Sequence, residues 1–197
     1  MVAPSCLLSW RRCRAAPTRE GDLARGRRRV TSPYAPEPVV VYRIATEAPA
    51  YGADDLSGEG AKRSGGRWNV AGTPMIYASR TRALACLETI VHLTSAAVLP
   101  MNRYLVEITI PATAWLARVQ FGDPSAAIGW DAEPAGRTSI QWGGDWLTRA
   151  ESLLAEVPSA VVPEETNILI NPAHPEIVAV IARMRRKWTY DRRLRTA

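Results

Sequence analysis

The sequence predicts an α+β fold, and three observations lead there. Short β-branched runs recur along the chain at residues 39–44, 75–77, 104–110 and 167–170. Stretches with helical periodicity lie between some of them. Strand and helix do not alternate in the regular βαβ rhythm that builds a parallel sheet, and no internal repeat is present. Short mixed strands with flanking helices are therefore expected.

The elements follow in order. Val39-Val40-Val41-Tyr42-Arg43-Ile44 is β-branched and bounded by prolines before it and Pro49 after it, which reads as a first strand. Residues 46–66 are rich in glycine with little periodicity, so a long loop of functional length is expected. Residues 75–77 make a short buried strand. Ser79 offers an N-cap to a helix over 81–95, whose periodic face carries Leu84, Leu87, Val91 and His92. Residues 104–110 alternate and stop at Pro111, which reads as another strand. Residues 112–145 hold Trp115, Trp130 and Trp142 among Gly and Pro, and only a short helix or two is assigned there. A helix is expected over 145–154, strands over 159–162 and 167–170, and a last strand or its approach over 176–181. The basic tail 183–195 should pack Trp188 and Tyr190 on the body.

Charge divides the chain in two. Of the net +6, all is carried by residues 1–36, where eight arginines face only Glu20 and Asp22. Residues 37–197 hold 17 basic and 17 acidic residues. The pI near 9.6 thus belongs to the extension, and a neutral folded domain offers no electrostatic case for direct nucleic-acid binding. Residues 1–36 lack apolar periodicity and read as a disordered Arg-rich extension, or as the product of an over-long translation start with the native chain beginning nearer Val39. Residues 37–197 read as one folded domain. The extension lacks the order of a secretory signal, and no stretch is long enough to span a membrane. Cys6, Cys13 and Cys86 form neither a disulfide framework nor a zinc site, and the acidic residues show no metal-ligand spacing. A cytoplasmic protein without a metal is expected.

The chemistry concentrates in residues 56–92. Gly65 and Gly66 precede Arg67, and Trp68-Asn69 follow. Arginine presents a planar, permanently charged fork suited to phosphate, and glycines let backbone N–H groups approach an anion. A surface arginine after a turn is the plainer alternative. Tyr77 sits on an apolar strand, either as a rigid platform for a flat ring or as a core tyrosine. Glu88 lies on a helix among apolar and small residues, where a carboxylate is costly unless paired. Pairing with Arg67, with a ligand hydroxyl, or with His92 one turn on would each resolve that cost. Cys86, with no histidine placed to activate it, reads as a buried thiol. Ser159 stands at the entrance to an expected strand. A serine-hydrolase elbow, a Walker loop, a Gly-x-Gly-x-x-Gly fingerprint and an HExxH motif are all missing from the sequence.

These residues resemble those of the RES-domain family, toxins of bacterial RES–Xre toxin–antitoxin pairs. The resemblance rests on Tyr42-Arg43, Leu56-Ser-Gly-Glu-Gly-Ala61, Gly65-Gly-Arg-Trp-Asn69, Gly72-Thr-Pro74 and Ile76-Tyr-Ala-Ser79. It continues through Ala83-Leu-Ala-Cys-Leu-Glu88 with His92, Val157-Pro-Ser-Ala160, Asn167-x-Leu-Ile-Asn171-Pro172 and Asp191-Arg-Arg-Leu194. It covers about residues 39–195, leaves the extension outside, and fits 112–145 loosely. The resemblance implies an ADP-ribosyltransferase-like fold with NAD as substrate rather than cofactor. The implied activity is cleavage of the nicotinamide–ribose bond by hydrolysis or phosphorolysis, depleting cellular NAD, with ADP-ribosylation of a protein as the alternative. A non-catalytic interaction module is the more remote reading. Carried over by motif, Arg67, Tyr77, Glu88 and Ser159 form the catalytic set, and Arg43, Gly65, Gly66 and Asn69 join in substrate binding. The implied partners are an Xre-family helix-turn-helix antitoxin, which would carry the DNA contacts, and a second copy of the chain, through Trp-bearing stretches of 112–146.

Overall fold

In the computed structural model, residues 36–93 and 99–194 are described. The expected extension, residues 1–36, lies almost wholly outside them, as does the far end of the helix expected to reach Ser95.

The chain enters as strand β1 (Val39–Thr46), then forms helix α1 (Glu59–Ser64), strand β2 (Ile76–Ser79), helix α2 (Arg82–Ile90) and strand β3 (Arg103–Ile110). Helix α3 (Ala112–Leu116), the two-residue strand β4 (Val119–Gln120) and helix α4 (Arg137–Arg149) fill the middle. Strands β5 (Leu154–Pro158) and β6 (Thr166–Ile170) precede a 3-10 turn at Pro175–Ala179 and strand β7 (Ile181–Lys187). One seven-stranded sheet results, in the order β4-β5-β6-β2-β1-β3-β7. Its ladders are antiparallel except for the parallel pair β4–β5.

Strand alternation sorts the core. Ile76, Ala78, Ile168 and Ile170 face one side, in a cluster with Val41, Val106, Ile108 and Ile110. Tyr77 and Leu169 face the other, against an aromatic cluster of Trp68, Phe121, Trp130 and Trp146. On that same side α2 packs Ala85 against Ile44 and Tyr190, with Trp188 beside them, as expected for the tail. The ladder between β1 and β2 is reduced to the single position Tyr42↔Ser79, whereas β1 and β3 pair from Val39↔Ile110 to Thr46↔Arg103. The sheet therefore opens at its centre, between the aromatic cluster and α2.

Several elements differ from the sequence reading. The expected loop 46–66 contains α1, a short helix with no buried residue. Its support is polar, from Glu59 to Lys62 and Arg63, which an apolar period cannot reveal. The cap of α2 is Thr81, whose hydroxyl accepts the Leu84 N–H at 3.0 Å. Ser79 stays in β2 and donates to Asn167. The helix ends at Ile90, so Val91 and His92 lie in the following turn.

Helix α4 runs over 137–149, earlier than the expected 145–154, and stops at Ala150 in the left-handed region (φ 47°). Gly143 and Gly144 both lie inside this helix, and the helix needs Gly143. A Cβ there would clash with the Trp68 carbonyl oxygen, so helix and Trp68 loop meet backbone to backbone. Residues 159–162 are a turn rather than a strand, and Ser159 stands just past the exit of β5. Residues 175–179 are 3-10, and the last strand takes in the first five residues of the basic tail, 183–187.

Candidate functional site

A cleft of about 790 Å³ occupies the opening between the sheet halves. Arg43, Gly65, Gly66, Arg67, Tyr77 and Glu88 all line it. Asn69 and Ser159 are buried and touch the lining residues from behind.

Gly65 closes α1 with φ 71°, in the left-handed region that suits glycine. A tight turn then pairs Gly66 with Asn69 through Gly66 N–H to Asn69 O at 3.0 Å. Gly66 is needed for space, because a Cβ there would lie 2.7 Å from the Tyr77 hydroxyl oxygen. That hydroxyl donates to Asn69 Oδ1 at 2.6 Å and accepts from the Trp68 N–H at 3.0 Å. Asn69 Nδ2 in turn reaches the Ala61, Val70 and Thr73 carbonyls. Tyr77 thus ties the glycine turn to β2. Burial pushes its hydroxyl well above the usual tyrosine range, so it stays protonated and spends its hydrogen bonds on the loop. Asn69, expected to bind substrate, braces this turn.

Arg67 donates from Nη1 to the carbonyls of Trp130 (3.1 Å) and Ala132 (2.8 Å), and from Nη2 to Glu133 Oε2 at 3.1 Å. Of the pairings open to Glu88, the one with Arg67 does not form. The guanidinium is 18% exposed whereas its carboxylate partner is 82% exposed, so one is fixed in the wall and the other stands in solvent. Trp68 and Trp130 stack at 6.2 Å beneath this loop.

Glu88 is half-buried. Its Oε1 accepts from the Ser159 hydroxyl at 2.7 Å and from Asn167 Nδ2 at 2.5 Å. Both bonds fall on one oxygen, and Oε2 has no hydrogen-bond partner among the described residues. Ser79 Oγ donates to Asn167 Oδ1 at 2.7 Å, which fixes the amide. Ser159 Oγ also accepts the N–H groups of Val161 and Val162 at 3.0 Å each, so the turn after β5 is built around it. His92 lines the cleft but forms no bond to Glu88.

Arg43 enters from β1. Its Nη2 donates to the carbonyls of Ala53 (2.7 Å) and Asp55 (3.1 Å), while Nε is buried without a partner. Burial lowers its affinity for a proton and Asp55 opposes that shift. A permanently charged group with a spare donor suits an anionic ligand.

Sequence reasoning missed Asn167 as a member of this set. The available signal was one amide opening an otherwise apolar strand, Asn167-Ile-Leu-Ile170. It missed Glu133 too, because nothing in the sequence links residue 133 to residue 67. As a whole, the cleft offers a carboxylate with one free oxygen, two arginines and a rigid aromatic ring.

The model of the RES domain matches residues 40–193 of this chain. The chain belongs to the RES domain family. A Sphingobium protein (strain YBL2) named Prs ADP-ribosylating toxin is 56% identical over 78% of this chain and 94% of its own length. Proteins named Toxin Res from Pseudomonas putida and Yersinia enterocolitica are 36% and 35% identical. They cover 70% and 69% of this chain, and 88% and 86% of their own lengths. The α+β architecture of this RES domain agrees with the ADP-ribosyltransferase-like class that the family implies.

Proposed function

We propose that this RES domain is the toxin of a toxin–antitoxin pair and acts by breaking the nicotinamide–ribose bond of NAD in the central cleft. The observation that carries the reading is Glu88, oriented through one oxygen by Ser159 and Asn167 while its other oxygen is left free. The bond between the ribose carbon and the nicotinamide nitrogen breaks with its electron pair passing to nicotinamide, which leaves neutral. The ribosyl centre becomes oxocarbenium-like, and a fixed carboxylate stabilises that charge without having to reorganise. A nucleophile then bonds to the ribose carbon and gives up its proton.

The other residues bind and orient. Arg43, which lines the cleft with its guanidinium fixed on the Ala53 and Asp55 carbonyls, adds positive charge toward the pyrophosphate. Arg67 is held by two carbonyls and meets phosphate when the exposed Glu133 carboxylate turns away. The Tyr77 ring packs a flat base while its hydroxyl keeps the glycine turn in place. Glu88, Arg67 and Tyr77 are catalytic residues in this scheme, and Ser159, Asn167 and Asn69 are positioning residues.

The nucleophile separates two outcomes. Water or phosphate gives NAD depletion. A protein side chain gives ADP-ribosylation, which the name of the 56% identical relative favours. The test is NAD incubated with the purified chain, then with lysate and labelled NAD, products identified by mass. Free ADP-ribose or its phosphate indicates depletion, and label on a protein indicates transfer. Intact NAD in both arms refutes the proposal. The partner in this reading is an antitoxin, of the Xre-type helix-turn-helix class that the sequence resemblance implies, and co-expression should restore growth.

A further inference from the structure

Strand β7 ends the sheet, bonded on one side to β3 and unpaired on the other among the described residues. Its seven residues, Ile181–Lys187, are exposed except Ala182. Four of them are basic, Arg183, Arg185, Arg186 and Lys187, and none is acidic. The apolar side chains between them are also in solvent, with Ile181 49% and Met184 44% exposed. An open edge of this length is a template for another strand.

The neighbouring charges already show what these arginines accept. Glu107 of β3 receives Arg185 Nε and Arg82 Nη2 at 2.9 Å each, and Arg183 stands opposite it in the ladder. One carboxylate thus pairs with two guanidinium groups and has a third arginine opposite it in the ladder, so the surplus is positive. Arg186 lies over the Trp188 ring at 4.5 Å and Arg82 over Tyr42 at 4.3 Å, so the cations are held in place on aromatic faces.

We propose that β7 binds an extended acidic segment of the antitoxin by strand addition. The proposal rests on the toxin–antitoxin reading but not on NAD chemistry. Charge excludes other occupants. The extension of this chain carries eight arginines against two acids within residues 1–36, and would be repelled. A second copy pairing antiparallel about Met184 would set Arg183 against Arg185, and like charges directly opposed destabilise a ladder. A nucleic acid would meet the arginines but leave the open backbone edge unused. An acidic strand satisfies both the backbone groups and the guanidinium groups.

The experiment uses the full chain co-purified with the product of the adjacent gene. Hydrogen exchange should slow along 181–187 on complex formation. Arg183→Glu with Arg186→Glu should weaken binding roughly tenfold or more, and the Gln pair at the same positions less. Thermal melting shows that the variants fold, and NAD cleavage by the free chain should be unchanged. Loss of NAD activity in the parent with β7 still protected would refute the enzymatic reading alone. Full affinity in the Glu variant, protection confined to other elements, absence of a complex, self-association through β7, or binding of a DNA duplex by these arginines without β7 protection would each overturn the strand-addition proposal.

Discussion

Glu88 and Ser159 are coupled through one hydrogen bond, but their substitution should fail in different ways. Glu88→Gln keeps the shape and removes the charge, so cleavage should fall by on the order of 10²–10³ with the melting temperature nearly unchanged. Ser159→Ala removes a bond to Glu88 and strands the N–H groups of Val161 and Val162. It should cost about 1–3 kcal/mol of stability and lower kcat less than the Glu88 change does. Equal kcat losses with no loss of stability would mean that Ser159 meets the substrate directly. Tyr77 gives a prediction in pH. Its folded-state affinity for a proton is raised by burial, so the unfolded chain ionises this group first. Its contribution is complete below the ordinary tyrosine value of about 10 and is lost as pH climbs above it. Urea unfolding between pH 8 and 11 should show this decline, smaller in Tyr77→Phe. The phenylalanine variant should also be less stable at neutral pH, since Asn69 Oδ1 and the Trp68 N–H lose their partner.

Helix α4 acts on the cleft without lining it. Gly143 lets the helix backbone touch the carbonyl of Trp68, next in sequence to Arg67. Trp146 is wholly buried, with its indole N–H bonded to Ser152 at 2.9 Å, so the helix has little freedom to retreat. Gly143→Ala should cost roughly 1–3 kcal/mol or more and displace the Trp68 loop. Thermal unfolding and NAD turnover should fall together, whereas Gly144→Ala, with open space around it, should leave both intact. Legibility in sequence followed the same division. Strands β1, β3 and β6 were readable because β-branched residues repeat along them. Helices α1 and α4 were not, since one rests on charge pairs and the other on a glycine whose need shows only once its neighbour across the chain is known.

At the scale of the molecule, the charge excess and the cleft belong to different parts of the sequence. The excess positive charge of the sequence lies in residues 1–36, and the cleft is built wholly from residues 42–167. Deleting residues 1–36 should leave NAD cleavage within about twofold of the full chain, a difference of under 1 kcal/mol in barrier. A folded truncation that had lost turnover would show that the extension belongs to the site. No helix among the described residues is long and apolar enough to cross a membrane. The neutral balance of residues 37–197 hides a local asymmetry, because β7 gathers four basic residues at one edge of the sheet.

The sequence by itself determined the α+β class, the principal strands in chain order and a few polar residues, Arg67, Tyr77 and Glu88, that the cleft gathers. These depend on local pattern: β-branched runs, a glycine pair before an arginine, a carboxylate on an apolar helix. What each polar residue does was decided only by the tertiary structure. Arg67 meets a loop 63 residues away at Trp130, and Glu88 meets Ser159 and Asn167 at 71 and 79 residues. The Glu88 separations are closed by the pairing of β2 with β6, and the Arg67 one by the stacking of Trp68 on Trp130. Partners chosen by strand order leave no trace in the spacing of the residues they join.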